Sequence, residues 1–596
     1  MTIPFSHRYI GATMPLNTIP TILDNMNKSE KYVLNKLTEL YKNEEQIAIL
    51  YLEPKVKNIT PDFILIDPMY GVTIVEVKAW SIDYINKINN KEVTLSDGRI
   101  DKNPSFKTRN YFNIIQNFLR FKENLINDKN ELNFNLYASL FLTQISENES
   151  SINNLKEYLN HYPSTVCYKN DIQKLNLDIL FPKGKSKIDD NSIGLIRHAI
   201  FPETQIKSTL DIVNRNNEEK IKVMDIRQEE FAKKIPNGHY HISGTPGSGK
   251  TVILIARAIH LLRENPSWRI AIVTYNKALK SKIELKLKVL EDDLGLMDID
   301  INRIEVITFH SLALKIASIR VPRPSNDDFW TNVLPQKALE NAYPQFDAMC
   351  IDEYQDFRDN WIKVCIASIK PYEYNVVEKG EKTSKLLPNI LFAGDRLQSI
   401  YNPNETNWSQ NVGLDMRGRS KLLKTSYRTT SEHISLALSL LETEAIYENE
   451  IKKFYEGRRG IIGKNNIKNS LKFISNVVEE LSELFRQYNK NEILILIDSK
   501  KSADNFCNQL PLEIRKNVLF QKEIIDDTKT TITTYYSSKG LEAKVVIILN
   551  INNIKDKKLA YVVMTRASEK LIIHAFNFDE GLAGELRRIK GNKRLS

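Results

Sequence analysis

The sequence predicts an α/β protein with two lobes built on parallel sheets, preceded by a smaller α/β unit. Three observations support this prediction. From about residue 226, ten short β-rich runs alternate with helical stretches, a pattern typical of doubly wound parallel sheets. A glycine-rich stretch at 244–251 lies between one of these runs and an apolar helix. Near the N-terminus, the strand-like runs DFILID and GVTIVEVKAW lie between two helical stretches.

The chain has 596 residues, which is too long for one hydrophobic core, so three or four domains are expected. Residues 1–145 are predicted to form the N-terminal α/β unit. Residues 146–222, rich in Asn and Lys, are predicted to be the end of that unit and a connector. Ten β-rich runs are too many for one compact lobe. We therefore expect a first lobe at 223–415 and a second at 416–596.

The composition favours a cytoplasmic protein with a polyanionic partner. No apolar run reaches the ~18–20 residues of a membrane helix, and the first residues lack the pattern of a signal peptide. The four cysteines have no CxxC spacing, which argues against a zinc site or a disulfide framework and fits a reducing compartment. Lys and Arg exceed Asp and Glu by 84 − 74 = 10, an excess that suits nucleic acid without identifying it.

The stretch GTPGSGKT has the complete GxxxxGK[ST] pattern of a phosphate-binding loop, between a strand and a helix. Its glycines allow backbone N–H groups to surround phosphate oxygens at a helix N-terminus. Within it, the Lys250 ammonium would reach the β- and γ-phosphates of ATP, and the Thr251 hydroxyl would hold Mg²⁺. The predicted loop consists of Gly244, Thr245, Pro246, Gly247, Ser248, Gly249, Lys250 and Thr251.

A second acidic site follows in the segment MCIDEYQDF. An apolar strand ends there in Asp352 and Glu353. This position puts Asp352 on the side of the Mg²⁺ ion and Glu353 beside the attacking water. Together with the phosphate-binding loop, the acidic pair predicts hydrolysis of a nucleoside triphosphate.

Eight further segments, in order over residues 224–575, resemble the motifs of superfamily 1A helicases of the UvrD/Rep type. The resemblance implies two RecA-like P-loop lobes, an ATP-driven motor and closure of the lobes around the nucleotide. The segments are MDIRQEEFAKKI, VTYNKAL, ITFHSLA, DEYQD, FAGDRLQSIY, LKTSYRTT, YYSSKGLEAKVVII and YVVMTRASEKL.

The resemblance implies a role in nucleotide binding for six positions. They are Gln228 at the adenine, Tyr427 stacked on the base, Gln398 at the γ-phosphate, Arg428 and Arg566 clamping that phosphate from the second lobe, and Glu542 at the ribose. Arg428 and Arg566 would neutralise the charge that develops during phosphoryl transfer.

The resemblance also implies contacts to DNA that is single-stranded or has single-stranded tails. The implied positions are Tyr275, Asn276, Phe309, His310, Tyr401 and Trp408. The sequence departs from the family in its short insertions: about 110 residues separate Arg428 from SSKGLE, and 352 − 276 = 76 positions separate Asn276 from Asp352. This departure puts processive unwinding in doubt more than ATP hydrolysis or translocation.

A second candidate site lies near the N-terminus, where Asp62 precedes Glu76-Val77-Lys78 by 14 positions. Because side chains alternate along a strand, Glu76 and Lys78 project to one face, and Asp62 on a neighbouring strand could meet them. Two carboxylates can hold a Mg²⁺ or Mn²⁺ ion that activates water against a phosphodiester. Lys78 would position the attacking hydroxide or stabilise negative charge, and Glu30 on the preceding helix could add a further ligand or orient one.

These residues resemble the PD-(D/E)xK core of restriction-endonuclease-like domains, and more narrowly the nuclease-related (NERD) domain fused to some helicases. The resemblance covers about residues 25–145. That family often places a glutamine after an Asn-Pro pair. Here Asn103-Pro104 is followed by Ser-Phe-Lys, with Lys107 near the expected position.

Three functional readings follow from the sequence. The main one is an ATP-dependent DNA translocase or helicase joined to a metal-dependent nuclease, acting in defence against phage or plasmids or in DNA repair, with a protein partner in that system. The second is a DNA-gated ATPase switch whose N-terminal unit only grips DNA or a partner. The third is an RNA motor, since the motifs do not read the 2′-hydroxyl.

Overall fold

A computed structural model of the chain contains three six-stranded sheets, one after another along the sequence. The first belongs to the N-terminal unit and the other two to the predicted lobes. The structure describes residues 16–19, 26–42, 44, 47–150, 155–159, 164–206, 223–234, 238–378, 381–401, 406, 408–445, 447, 451, 462–465, 467, 470–520 and 528–592.

The first sheet is mixed. Its strands, in spatial order, are Leu16–Ile19, Ala48–Leu52, Phe63–Asp67, Gly71–Lys78, Leu136–Leu142 and Ser164–Cys167. The second, third and fourth strands pair antiparallel, whereas Gly71–Lys78 pairs in parallel with Leu136–Leu142. A parallel pair needs a crossover connection, and the helix Pro104–Arg120 lies in it. Glu76 thus lies within a central strand, opposite Leu140.

Helices cover both faces of this sheet, because successive apolar side chains on its strands point to opposite faces. Val72 and Ile74 pack in the same core as the helix Pro104–Arg120, whereas Val75 and Val77 pack with Lys28–Tyr41. A small antiparallel sheet precedes the crossover helix, with strands Ile85–Ile88, Glu92–Leu95 and Ile100–Lys102. The remaining described helices of this part are Leu155–Leu159, Lys169–Gln173, Leu177–Leu180 and Asp190–Ile200.

The second sheet is entirely parallel, as the sequence predicts. Its strands, in spatial order, are Ile304–Thr308, Ile270–Thr274, Ala348–Asp352, Ile390–Gly394, His239–Gly244 and Ser420–Leu423. Its helices are Ile226–Lys234, Lys250–Glu264, Lys277–Leu296, Phe309–Ala317, Leu334–Glu340 and Asp359–Ala367. An antiparallel hairpin, Pro371–Glu378 with Glu381–Pro388, precedes the fourth of these strands.

The predicted boundary between the lobes at residue 415 needs correction. The strand Ser420–Leu423 pairs with residues 241–244, so it completes the edge of the first lobe's sheet. The sequence alone could not assign it, because a short β-rich run carries no mark of the sheet it joins.

The third sheet is also entirely parallel. Its strands, in spatial order, are Leu471–Ile474, Ala567–His574, Ala543–Ile548, Ile493–Ile497, Thr530–Thr534 and Val518–Phe520. A separate pair, Thr425–Thr430 with Ile462–Asn465, leads into it. Its described helices are Ser431–Leu441, Val477–Gln487, Lys500–Gln509, Leu512–Arg515, Lys557–Met564 and Gly581–Asn592.

A buried ionic cluster joins the N-terminal unit to the first lobe. The Glu229 carboxylate accepts hydrogen bonds from Arg197 at 2.5 Å, from Lys233 at 2.7 Å and from the Tyr51 hydroxyl at 3.1 Å. The Lys233 ammonium also lies 3.1 Å from the ring centroid of Phe201. Tyr51 belongs to the first sheet and Glu229 to the helix Ile226–Lys234. Among the described residues, no helix is long and apolar enough to cross a membrane.

Candidate functional site

The glycine-rich loop lies between the strand His239–Gly244 and the helix Lys250–Glu264. Gly247 and Gly249 have φ angles of +74° and +87°, which side chains rarely allow. A Cβ on Gly249 would lie 2.2 Å from Nε2 of Gln228, and one on Gly247 would lie 2.8 Å from Oγ of Ser426. Both positions therefore require glycine, and the loop is contacted from both lobes.

Carbonyls of this loop anchor the groups around it. The Lys250 ammonium donates to the carbonyls of Gly244 at 2.9 Å and Thr245 at 3.2 Å. Pro246 accepts from the Ser426 hydroxyl at 2.8 Å, and Ser248 accepts from the Gln228 amide at 2.8 Å. These hydrogen bonds fix the conformation of the loop, and they hold the Lys250 ammonium against its first two carbonyls.

Two oxygen groups meet at the start of the following helix. The Thr251 hydroxyl donates to Oδ2 of Asp352 at 2.7 Å. Burial, and then the neighbouring Glu353, raise the pKa of Asp352 to about 6. A hydroxyl and a carboxylate are the ligand types that Mg²⁺ prefers. The pair therefore fits the ion that the sequence predicts here.

Glu353 differs from its neighbour in its charge environment. Burial opposes its ionisation, but Lys539 and Lys250 lower its pKa below the usual value. Its φ of +53° places a non-glycine residue in the left-handed region, a conformation found mainly where surrounding structure enforces it. Glu353 is therefore an ionised carboxylate held beside the loop, as a general base requires.

Side chains of the second lobe reach the same cleft. The Arg566 guanidinium donates to Oε1 of Gln398 at 2.7 Å, and Gln398 donates to Asp395 at 2.9 Å. Lys539, within the SSKGLE segment, has no role predicted from the sequence. It donates to the Gln398 backbone carbonyl at 2.5 Å and pairs with Asp356 at 2.6 Å. Gln398 thus bridges the two lobes.

Arg428 and Glu542 form an ion pair with each other. Lys282, on the first-lobe helix Lys277–Leu296, binds the same carboxylate at 2.9 Å. Burial opposes ionisation of Glu542, but Lys282 and Arg428 hold its pKa well below the usual value. The predicted contacts of Arg428 to phosphate and of Glu542 to ribose stay predictions.

The predicted adenine-binding residues lie together. Gln228 accepts a hydrogen bond from the backbone N–H of Asp225 at 3.1 Å, and the Tyr427 hydroxyl bonds to the Asp225 carboxylate. Tyr427 also donates its backbone N–H to Gly247 at 2.9 Å. These contacts bring the second lobe's strand Thr425–Thr430 against the helix that carries Gln228.

The predicted DNA-contacting aromatic residues form part of a stacked series. Tyr275 and Tyr401 stack with ring centroids 4.9 Å apart, and Tyr275 lies 6.0 Å from Trp361 in a similar orientation. Trp361 stacks on Phe309 at 4.3 Å, and His310 packs edge-on against it. Trp361 lies outside the motifs, so the sequence offered no signal for it.

Burial separates these residues into two groups. Phe309 is fully buried and packs against Trp361, whereas Tyr275 and Tyr401 are partly exposed. Trp408 packs against Phe392 with ring centroids 4.8 Å apart. Asn276 caps the helix Lys277–Leu296 by accepting the Leu279 backbone N–H at 2.9 Å.

The N-terminal candidate residues also come together. The Glu76 carboxylate binds Lys78 at 2.9 Å and Lys107 at 2.6 Å, while its own side chain is 1% exposed. Asp62 accepts the backbone N–H of Val77 at 2.5 Å. Burial, and then Glu76, raise the pKa of Asp62 to about 7. We refer to Asp62, Glu76, Lys78 and Lys107 as the N-terminal site.

Glu30 lies at its edge. Its carboxylate completes a capping box by accepting the backbone N–H of Asn27 at 3.0 Å, and it contributes to raising the pKa of Asp62. Among the described residues, no group of three or more His, Cys, Asp or Glu side chains is arranged to hold a metal ion. The site therefore offers two central carboxylates, with the role of Glu30 as a ligand still a prediction.

Comparisons with known proteins bear on the part of the chain that contains the glycine-rich loop. Residues 224–331 match the family model of the UvrD/REP helicase N-terminal domain. These residues contain Gln228, the phosphate-binding loop, Tyr275 and Phe309. The match supports the superfamily 1 helicase assignment for this part of the chain.

No curated protein matches the chain. Among solved structures, the chain is similar to the Arterivirus nonstructural protein 10 (helicase), with 15% identity and a TM-score of 0.31. That alignment covers 59% of this chain and 61% of the viral chain.

Proposed function

We propose that this protein is an ATP-driven motor that moves along single-stranded DNA and carries a metal-dependent DNA nuclease at its N-terminus. The observation that carries the proposal is the convergence of groups from two parallel sheets on one glycine-rich loop. We call this site the motor cleft; it comprises Lys250, Thr251, Asp352, Glu353, Gln398, Arg428, Lys539, Glu542 and Arg566.

The residues of the motor cleft divide the chemistry of phosphoryl transfer among them. Lys250 would leave the loop carbonyls for the β- and γ-phosphates, and Thr251 with Asp352 would hold Mg²⁺. That ion, when bound, bridges phosphate oxygens and offsets their charge. The ionised Glu353 would accept a proton from the attacking water.

The contacts around Gln398 would link hydrolysis to movement. Gln398 belongs to the first lobe and binds Arg566 and Lys539 of the second. A γ-phosphate near Gln398 and Arg566 would draw the lobes together, and its release would let them part. The partly exposed rings of Tyr275 and Tyr401 would contact bases of the strand during that cycle.

The nuclease proposal rests on the buried Glu76 carboxylate. Its Oε2 has no hydrogen-bond partner among the described residues. A buried acceptor without a partner is costly, and a divalent cation would satisfy it. Asp62 and Glu76 would hold that cation, which supplies an activated water, and Lys78 would offset charge on the phosphodiester.

Single-stranded DNA-stimulated ATP hydrolysis tests the motor. Lys250→Ala should lower the stimulated rate by about 10²–10³-fold, because it removes a group that neutralises the transferring phosphate. Lys337→Ala, at a mostly exposed position on the helix Leu334–Glu340, is the matched control. An unchanged rate in Lys250→Ala would overturn the motor assignment. Competition between matched DNA and RNA strands would separate DNA from RNA motors.

Cleavage of end-labelled single- and double-stranded DNA in Mg²⁺ or Mn²⁺ tests the nuclease. We expect cleavage that disappears in Lys78→Ala and changes with ATP or with Lys250→Ala. DNA-stimulated ATPase without cleavage under either metal would favour the alternative, a DNA-gated switch. As a coupled nuclease and motor, the protein would act in phage defence or DNA repair, together with a protein partner.

A further inference from the structure

The two oxygens of the Glu76 carboxylate have opposite environments. Oε1 accepts from both the Lys78 ammonium at 2.9 Å and the Lys107 ammonium at 2.6 Å. Oε2 is buried and has no hydrogen-bond partner within the part of the chain that the structure describes. One oxygen thus binds two cations, and the other binds none.

The charges around Glu76 oppose a metal ion. One carboxylate and two ammonium groups sum to −1 + 2 = +1. A divalent cation that approached Oε2 would be repelled by both ammonium groups at short range in a largely buried site, where charges interact strongly. Asp62 supplies only one further carboxylate in contact with this strand. One of the two lysines must therefore withdraw for a cation to bind well.

Lys107 is better placed to withdraw than Lys78. Lys78 lies two residues from Glu76 on the same strand, and its side chain is 22% exposed. Lys107 comes from the first turn of the helix Pro104–Arg120, and its side chain is 34% exposed. Its ammonium already lies 5.4 Å from the ring centroid of Tyr111, a favourable alternative contact for a cation.

We propose that Lys107 gates the metal site of the N-terminal unit. In the metal-free protein its ammonium is a counter-ion to Glu76, and it leaves the carboxylate when a divalent cation binds. The displaced ammonium is then available to a DNA phosphate at the same site. This inference rests on the proposed nuclease function and adds its regulation: DNA that attracts Lys107 favours metal binding, so the metal is held best when substrate is present.

A gate and a positioning residue predict opposite results when Lys107 is neutralised. If Lys107 only orients Glu76, its loss should weaken metal binding, by about 10–100-fold for partners of this kind. If Lys107 competes with the metal, its loss should tighten binding. The sign of the change therefore distinguishes the two roles.

Calorimetric titration of the full chain with Mn²⁺ measures this sign without requiring activity. All variants carry Asp352→Asn, so that the motor cleft does not contribute a second site. We expect Lys107→Gln to bind Mn²⁺ about tenfold more tightly or better, because a nearby positive charge is removed. Lys107→Arg keeps the charge and should bind as the parent does. Lys102→Gln, at an exposed position on a neighbouring strand, is the matched control and should change nothing.

Equal or weaker binding in Lys107→Gln would overturn the gate. Glu76→Gln separates that failure from failure of the nuclease proposal. If Glu76→Gln abolishes Mn²⁺ binding but Lys107→Gln does not tighten it, only the gate is wrong. If Glu76→Gln leaves Mn²⁺ binding intact, the metal does not bind at Glu76, and both proposals are wrong. Circular dichroism melting of each variant identifies any that fail to fold.

Discussion

The motor cleft and the N-terminal site both gather buried charges, but they do so in different ways. In the motor cleft, contacts such as Arg566 to Gln398 and Lys282 to Glu542 join residues of different lobes. In the N-terminal site, Glu76 and Lys78 share one strand, and Lys107 lies on the helix packed against it. In the proposed motor, lobe movement would assemble and dismantle the first site, whereas the second is built into one sheet.

This difference indicates where control can act. A site shared between two lobes would respond to their movement, so in the proposed motor both nucleotide and DNA would bias it. A site within one rigid sheet responds mainly to local charge. The Glu229 cluster joins the two parts, because it ties Tyr51 of the first sheet to the helix that carries Gln228.

The largest expected effect comes from breaking the cluster that joins the two parts. Glu229→Gln leaves Arg197 and Lys233 buried without their carboxylate. Removing one partner of a buried ion pair costs about 3–5 kcal/mol of stability. The melting temperature of the unit that contains the cluster should fall by roughly 10 °C. Glu284→Gln, in an exposed ion pair, is the control and should have little effect. Equal melting temperatures for the two variants would contradict the prediction.

The next prediction tests whether residues of both lobes contribute to ATP hydrolysis in the motor cleft. Arg566→Ala removes the guanidinium that reaches Gln398 from the second lobe. ATPase kcat should fall by about 10²–10³-fold with a smaller change in KM, because the arginine would act mainly on the transition state. Arg587→Ala, at a largely exposed position, is the control. A raised KM with kcat unchanged would instead show that Arg566 stabilises bound nucleotide equally in the ground state and the transition state.

A smaller effect is expected from the aromatic series. Tyr401→Ala removes the ring that stacks on Tyr275. Loss of one base-stacking side chain should weaken single-stranded DNA binding by about 1–3 kcal/mol. Fluorescence anisotropy with a labelled oligothymidine measures this change. Tyr343→Ala, at a tyrosine 58% exposed elsewhere on the first lobe, is the control. An unchanged affinity of Tyr401→Ala for single-stranded DNA would show that the stacked series does not contact the strand.

The two sites also differ in how far the sequence could predict them. Apolar runs predicted the parallel sheets. Asp352, at a strand end, lies beside the loop because parallel strands end at one edge, and its role as a Mg²⁺ ligand stays a prediction. Trp361 could not be predicted, because its contact with Phe309 depends on how a helix docks.

The N-terminal site was predicted only in part. Strand alternation brought Glu76 and Lys78 to one face, as expected. The contact of Lys107 with Glu76 joins residues 31 positions apart, and it depends on the angle of the crossover helix. The Asn103-Pro104 pair drew attention to Lys107, but nothing in the sequence indicates its partner. Local patterns thus specify the strands, whereas contacts between elements need the packed structure.

The smallest expected effect concerns the positively charged side chains around Glu542 in the motor cleft. Lys282, Lys286 and Arg428 gather around Glu542, and burial, followed by Lys282, lowers the pKa of Lys286 to about 8. An unfolded lysine has a pKa near 10.4. Between pH 8 and 10.4 the unfolded chain therefore binds more protons, so the unfolding free energy rises with pH in this window.

Replacing this lysine should therefore stabilise the protein at neutral pH. Lys286→Met should raise the melting temperature by a few degrees at pH 7, and the gain should shrink toward pH 10. Lys288→Met, at an exposed position on the same helix, is the control. A non-hydrolysable ATP analogue should also reduce the gain at pH 7, because its phosphates stabilise the charged lysine. A gain independent of pH and of nucleotide would show that packing, rather than charge repulsion, explains the stabilisation.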